Sequence, residues 1–215
     1  MKTLYLDTSS SFLYTGIIDN DKVITEIKEK LDKDLSKFAL LKVSQMFEEN
    51  NISADEINKI IVVNGPGSFT GVRIGLTIAK TFAWARKIPI IPISSLEAMA
   101  LSHCNEKTKY LVPAIDARRN FVFASIYDNE NNSFIMNEQY INLTTLEAVL
   151  ENMPNSITYI SNDDLNVKYS VSKYNPDIKF IVDKVKDRQP VNPHSIDANY
   201  LKLTEAEENN DSRIN

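Results

Sequence analysis

Apolar positions fall into short blocks of alternating or continuous hydrophobic residues, divided by polar turns and interrupted by stretches of helical period. The chain opens with an alternating run, Lys2 to Leu6, that ends on Asp7-Thr8-Ser9-Ser10. Phe12 to Ile18 follows, then the turn Asp19-Asn20-Asp21-Lys22 and a third run, Val23 to Ile27. Three short runs with polar turns predict an antiparallel meander. Residues 33–49 read as a helix whose apolar set (Leu35, Phe38, Ala39, Leu40, Leu41, Val43, Met46 and Phe47) covers well over half its circumference. A helix covered on one side needs a narrower stripe, so this one is either fully buried or has two partners. Ser53-x-x-Glu56 has the spacing of a capping box. A strand at 60–64, a helix at 71–86 and a strand at 88–93 then make a βαβ unit, which implies parallel pairing. Pro89 and Pro92 predict that its second strand starts late or lies near an edge. Ser94-x-x-Glu97 caps a short helix ending near Leu101.

After the polar stretch His103 to Lys109 the opening order returns. Tyr110 to Ile115 reads as a strand closing on Asp116-Ala117-Arg118-Arg119, Phe121 to Tyr127 as the next, and Ser133 to Met136 as a third. Thr144-x-x-Glu147 is expected to cap a helix that stops before Pro154. Ile157 to Ile160 and Lys179 to Val182 read as strands around a helix, and the tail from His194 to Glu208 as a helix. Two halves with one plan predict a duplicated α/β fold: two lobes, each a mixed sheet flanked by helices, with a cleft between them. The expected division is residues 1–102, joined by a C-terminal helix at 193–215, and residues 103–192. Actin, the sugar kinases and Hsp70 share this plan.

Four of the chain's five glycines fall in Asn64-Gly65-Pro66-Gly67-Ser68-Phe69-Thr70-Gly71-Val72-Arg73-Ile74-Gly75. Gly65 and Gly67 sit at a strand-to-helix turn, where the backbone bends tightly and approaches a neighbour closely. Gly71, Gly75, Ala79 and Ala83 recur every four residues and form a small-residue ridge. Glycine inside a helix costs about 1 kcal/mol against alanine, so close approach of another backbone is the usual compensation. Flanked by Leu76, Ile78 and Phe82, the ridge either packs on the chain's own sheet or docks a helix of a partner.

Composition narrows the chemistry. The 215 residues carry a net charge of −5, and none of the segments 1–102, 103–192 and 193–215 is basic, so nucleic acid is not expected to bind the chain alone. No apolar run is long enough to span a bilayer, the N-terminus does not read as a signal peptide, and Cys104 is the single cysteine; the cytoplasm is the expected compartment. The Asp7, Asp116 and Ser161-Asn162-Asp163 turns hold no glycine, and none occurs after Gly75. A phosphate cradle needs backbone N–H groups at close range, so neither nucleotide nor another cofactor is expected. The glycine block lacks a P-loop lysine and the G-x-G-x-x-G spacing. Ser68 and Thr70 are candidate nucleophiles or, alternatively, caps for the helix that follows. Asp7 and Asp116 are candidates for metal binding or for turn capping. Arg118 and Arg119 are candidates for contact with an anion or RNA phosphate, or form a solvated hairpin tip. Cys104 reads as a reactive thiol or a plain surface cysteine.

Leu6-Asp7-Thr8-Ser9, the block from Gly65 to Gly75, Ser94-Ser95-Leu96-Glu97-Ala98, Asp116-Ala117-Arg118-Arg119 and Asn199-Tyr200-Leu201-Lys202 together resemble the bacterial TsaB (YeaZ) family. The likeness runs in order along nearly the whole chain. It implies an actin-like (ASKHA), glycoprotease-like fold and a non-catalytic scaffold for TsaD, the enzyme that places threonylcarbamoyl on adenosine 37 of tRNA. It also implies a heterodimer through the two N-terminal helices, TsaE in a larger complex and indirect contact with tRNA; a homodimer through the same helices when the partner is absent is a further reading. The interface residues it suggests are Leu35, Phe38, Leu41, Gly71, Ile74, Gly75, Ile78, Ala79 and Phe82. The alternative is an active peptidase or ATPase using Asp7, Asp116 and Ser68 or Thr70. Two departures from the family pattern are the Lys33–Ser36 opening of the first helix, where a histidine-serine pair is usual, and the glycine-free turn at Ser161.

Overall fold

The computed structural model describes residues 1–153 and 156–202. Strands β1 (Lys2–Asp7), β2 (Phe12–Asp19) and β3 (Lys22–Lys30) form the expected meander. A single helical turn at Asp32–Asp34 leads into α1 (Leu35–Glu49). A second short turn, Ala54–Glu56, carries the full Ser53/Glu56 capping box. Strand β4 (Ile57–Val63), helix α2 (Phe69–Arg86) and strand β5 (Ile90–Ile93) complete the βαβ unit. The first sheet runs β3-β2-β1-β4-β5 with β4 parallel to both neighbours. Strand β5 starts late and lies at the edge, as its two prolines require.

Helix α3 (Ser95–Ser102) leads to the second sheet. This contains β6 (Tyr110–Asp116), β7 (Phe121–Asp128), β8 (Ser133–Asn142), β9 (Ile157–Ile160) and β10 (Ser170–Ser172), in the order β10-β9-β6-β7-β8. Its helix α4 (Leu143–Glu151) follows β8 directly. Both sheets therefore consist of a meander followed by parallel strands, the duplicated plan read from the chain.

Four expectations need correcting. Strand β8 runs on to Asn142, well past Met136. The cap of α4 is Asn142, whose side chain accepts from the Thr144 N–H; Glu147 lies inside the fold, accepting from the Tyr159 hydroxyl at 2.9 Å. Residues 179–182 belong to α5 (Ile178–Val185), not to a strand. Its buried positions 178, 181, 182 and 185 have the helical period, and Ile178 lies against Gly16 of β2, so α5 packs on the first sheet. Finally, no helix begins at His194. A single turn at Pro193–Ser195 is followed by irregular chain through Lys202; the rest of the expected C-terminal helix lies outside the described residues.

The core comes in three parts: between α1, α2 and one face of the first sheet; under α4 and the second sheet; and a central cluster in which α3 and α5 join both sheets. The C-terminal segment returns to the first sheet. Val191 bridges Ile90, the Asn199 N–H donates to the Asn64 carbonyl at 2.7 Å, and Lys80 Nζ donates to the Ile196 carbonyl. Asn199 Nδ2 meanwhile donates to Glu138 of β8, so the same segment touches both sheets.

Candidate docking face and interlobe cleft

The glycine block is packed against the chain's own first turn. A Cβ on Gly67 would overlap the Ser9 carbonyl, one on Gly71 the Thr8 carbonyl, and one on Gly75 the Thr8 hydroxyl. The Ser68 N–H donates to the Ser9 carbonyl at 2.7 Å, and Thr8 Oγ1 donates to the Gly71 carbonyl at 2.7 Å. Gly65, at φ +102°, adopts a backbone conformation that L side chains rarely reach, with Val72 and Asn199 closing over it. The close approach that these glycines imply is thus made within the chain. The small-residue ridge packs inward: Gly71, Gly75, Ala79 and Ala83 are all buried, and so is Leu35 of α1. Of the nine expected interface residues, these observations remove Gly71, Gly75, Ala79 and Leu35 from the surface. Phe38, Ile74, Ile78 and Phe82 remain half-buried and Leu41 exposed.

What α1 and α2 do present is a groove of about 470 Å³ between them, with Leu40, Phe69, Thr70, Ile74 and Ile78 along it. Leu40 is 63% exposed, Leu41 48% and Phe69 46%. The over-wide apolar stripe of α1 resolves into a core-facing line (Leu35, Ala39, Val43, Met46) and two leucines left in solvent. Leu40 and Phe69 belong to this face but were not among the expected interface residues. Phe69 also forms one wall of a surface cluster. The Arg73 guanidinium stacks 3.7 Å from its ring centre, and Arg73 Nε donates to the Tyr200 hydroxyl at 2.8 Å. Tyr200 in turn stacks on Phe69. Two motifs far apart in the chain, the glycine block and Asn199-Tyr200, therefore meet at the start of α2.

Between the two halves lies an open cleft of about 1090 Å³, lined by Ser9–Phe12, Gly67–Thr70, Ile115–Arg118 and Asn162–Asp164 among others. Asp7 is 2% exposed. Its Oδ1 accepts from the Ser9 N–H at 2.8 Å and the Ser9 hydroxyl at 2.7 Å, which is turn capping. Burial outweighs these two donors and raises its pKa to about 6. Asp116 is exposed, with Oδ1 accepting from the Arg118 N–H and its own N–H donating to Asp163. Among the described residues no group of three His, Cys, Asp or Glu side chains is placed to hold a metal. Ser68 caps α2, its hydroxyl accepting from the Gly71 N–H at 3.2 Å. The histidines are engaged elsewhere: the His103 ring nitrogens lie at the Met99 and Lys173 carbonyls, and His194 lies against Trp84. Cys104 is half-buried, which pushes its thiol up. Among the described residues no helix is long and apolar enough to cross a membrane.

A profile of the family described as "TsaD: tRNA N6-adenosine threonylcarbamoyltransferase" matches residues 27–192. The protein called tRNA threonylcarbamoyladenosine biosynthesis protein TsaB from Bacillus subtilis is 29% identical over 96% of both chains. Its Escherichia coli namesake is 31% identical over 71% of this chain and 66% of its own. The chain belongs to this family, on its TsaB (YeaZ) branch. The structure of YeaZ from Pseudomonas aeruginosa superimposes with a TM-score of 0.75 at 18% identity, covering 93% of this chain and 99% of that one. A second Pseudomonas aeruginosa structure, described as similar to peptidase YEAZ, gives 0.77 at 17% identity, covering 94% and 99%. The TsaB-family fold is thus the actin-like duplicated one, with two five-stranded mixed sheets. In this TsaB-family chain the motif glycines serve the contact between the first turn and α2, while Leu40, Leu41 and Phe69 expose apolar surface on α1 and at the start of α2.

Proposed function

We propose that this chain acts in tRNA threonylcarbamoyladenosine formation as a non-catalytic partner of a TsaD-type transferase, which it engages through the outer face of α1 and α2. Its relatives carry that biosynthetic role in their names. The observation that carries the docking reading is the groove between two adjacent helices, lined by exposed Leu40 and Phe69 with Ile74 and Ile78, together with exposed Leu41 next to Leu40 on α1. Isolated surface apolar residues are ordinary, whereas Leu40 and Phe69 exposed along one groove favour a protein partner. The scaffold reading is supported by the state of the candidate catalytic groups: Asp7 is capped and buried, and Ser68 is used as a helix cap. No cofactor is assigned to the chain. A TsaE-type ATPase joins the larger complex, tRNA is reached through the transferase, and two copies of this chain pair through the same face when the transferase is missing. Residues 1–102 form the lobe that docks and 103–192 the second lobe, apart from α5.

The test is capture of the transferase by Leu40→Asp/Leu41→Asp, followed by a tRNA modification assay. Both side chains are exposed, so the fold should persist while the complex weakens at least tenfold and modification falls with it. Unchanged capture and unchanged modification would show the face to be wrong. Turnover of ATP or a peptide by the purified chain, abolished by Asp7→Ala, would replace the scaffold reading with the hydrolase one.

A further inference from the structure

The tip between β6 and β7 is built in an unfavourable way. Arg118, Arg119 and Asn120 have φ of +67°, +54° and +63°. This left-handed region suits glycine and asparagine, and is uncommon for bulky side chains. Hairpin tips that need it normally use Asn-Gly or Asp-Gly; here two arginines stand in those places. The surrounding bonds hold the backbone there. The Phe121 N–H donates to the Arg118 carbonyl at 3.0 Å, Ala117 N–H to the Phe121 carbonyl at 2.9 Å, and Leu143 N–H to the Asn120 carbonyl at 2.8 Å. Asp116 holds the Arg118 N–H, and Asn120 Nδ2 donates to Thr144 Oγ1 at 3.1 Å. A strained conformation fixed from several sides is a reason to look for a role.

Both arginines are exposed. Among the described residues the arginines in ion pairs are Arg86 and Arg188, not these two. Beside the tip, Phe121 and Tyr140 stack at 4.6 Å, and the Lys202 ammonium lies 5.3 Å from the Tyr140 ring centre. Guanidinium forks match phosphate oxygens, and aromatic rings flanked by cations suit RNA, whose bases stack on them. A backbone already fixed also loses less freedom on binding.

We propose that this tip is a preformed RNA contact, in which Arg118 and Arg119 meet backbone phosphates of the tRNA held by the complex. The inference rests on the reading under Proposed function and adds to it a direct contact from this chain. The chain's acidic balance confines the contact to the assembled complex, where two phosphates add to the transferase's own hold.

The experiment measures tRNA affinity of the complex against salt for the wild type, Arg118→Gln/Arg119→Gln and Arg119→Asn, the last suited to the left-handed backbone. Two lost phosphate contacts should lower the slope of log K against log salt by about 1.4–1.8, and one by about half that. Affinity at low salt should fall about tenfold or more in the double variant. Arg118→Lys/Arg119→Lys should keep the slope. An unchanged slope in both neutral variants, with tRNA still bound and modified, overturns the contact and leaves the proposed function standing. Loss of transferase capture with an unchanged slope also overturns it, since the tip would then be reading a protein. A wild-type complex that binds no tRNA at any salt removes the proposed function, and this contact with it.

Discussion

Thr8 and Gly75 fit together as side chain and hollow: the Thr8 hydroxyl, which donates to the Gly71 carbonyl, occupies the space a Cβ on Gly75 would need. The glycine ridge is thereby a lock between the first turn of the chain and the helix beneath it, and its period has an internal cause.

The lock makes a prediction that separates packing from docking. Gly75→Ala should destabilise the isolated chain by about 1–3 kcal/mol through overpacking, read by urea unfolding. Thr8→Ala should recover part of that loss in the double variant, a coupling of about 0.5 kcal/mol or more. Additive losses would mean that the clash is relieved elsewhere. Gly71→Ala, which meets a carbonyl rather than a side chain, should show no comparable rescue.

Asp7 should give a pH signature. Its folded pKa of about 6 lies above the ordinary 3.8, so the folded state holds a proton that the unfolded state releases between these values. This contribution to stability is therefore present below about pH 4 and declines as pH rises to 6. Above that, the buried carboxylate costs on the order of 3 kcal/mol. Asp7→Asn, which keeps an acceptor for Ser9, should raise the melting temperature at pH 7 and reduce the difference between pH 5 and pH 7. An equal pH dependence in both proteins would refute the assignment.

Tyr200 should matter for stability although it is 47% exposed. Tyr200→Ala removes the Arg73 hydrogen bond and the stack on Phe69, together worth about 1–2 kcal/mol. Tyr200→Phe keeps the stack and should lose less than half of that in chemical denaturation. Equal losses would place all the energy in the hydrogen bond.

The β6–β7 tip should trade stability for function. Arg119→Gly relaxes a left-handed position and should raise stability by up to about 1 kcal/mol while weakening tRNA binding by the complex. A variant that is both less stable and fully competent in binding would contradict the strain and the contact together.

How much of this could be read beforehand depended on whether the signal was local. The meanders, the βαβ unit and the Ser53 cap follow from alternation and short motifs, and all formed. Strand β5 obeyed its prolines. By contrast, Ile178, Ile181, Val182 and Val185 carry a helical period, but within a block so short and β-branched that a strand reading prevailed. Asn142 outcompeted Thr144 as cap because β8 continues to the helix without a loop, which no motif announces. The glycine ridge marks a close-approach surface, but its spacing does not say whether the neighbour is internal; Thr8 supplies the answer from 63 residues away. The wide apolar face of α1 was legible, and the two leucines it leaves in solvent are what the sheet cannot cover. The strain at Arg118 and Arg119 had no signal, since both residue types are ordinary at a polar turn.

The stretch from Val191 to Asn199 has a consequence for how the molecule comes into being. Ile90 and Asn64 receive main-chain partners from Val191 and Asn199, which follow every strand of both sheets in the sequence. Until that segment arrives, β5 keeps an unsealed edge, so the first sheet closes only once a stretch from beyond the second sheet has folded back onto it.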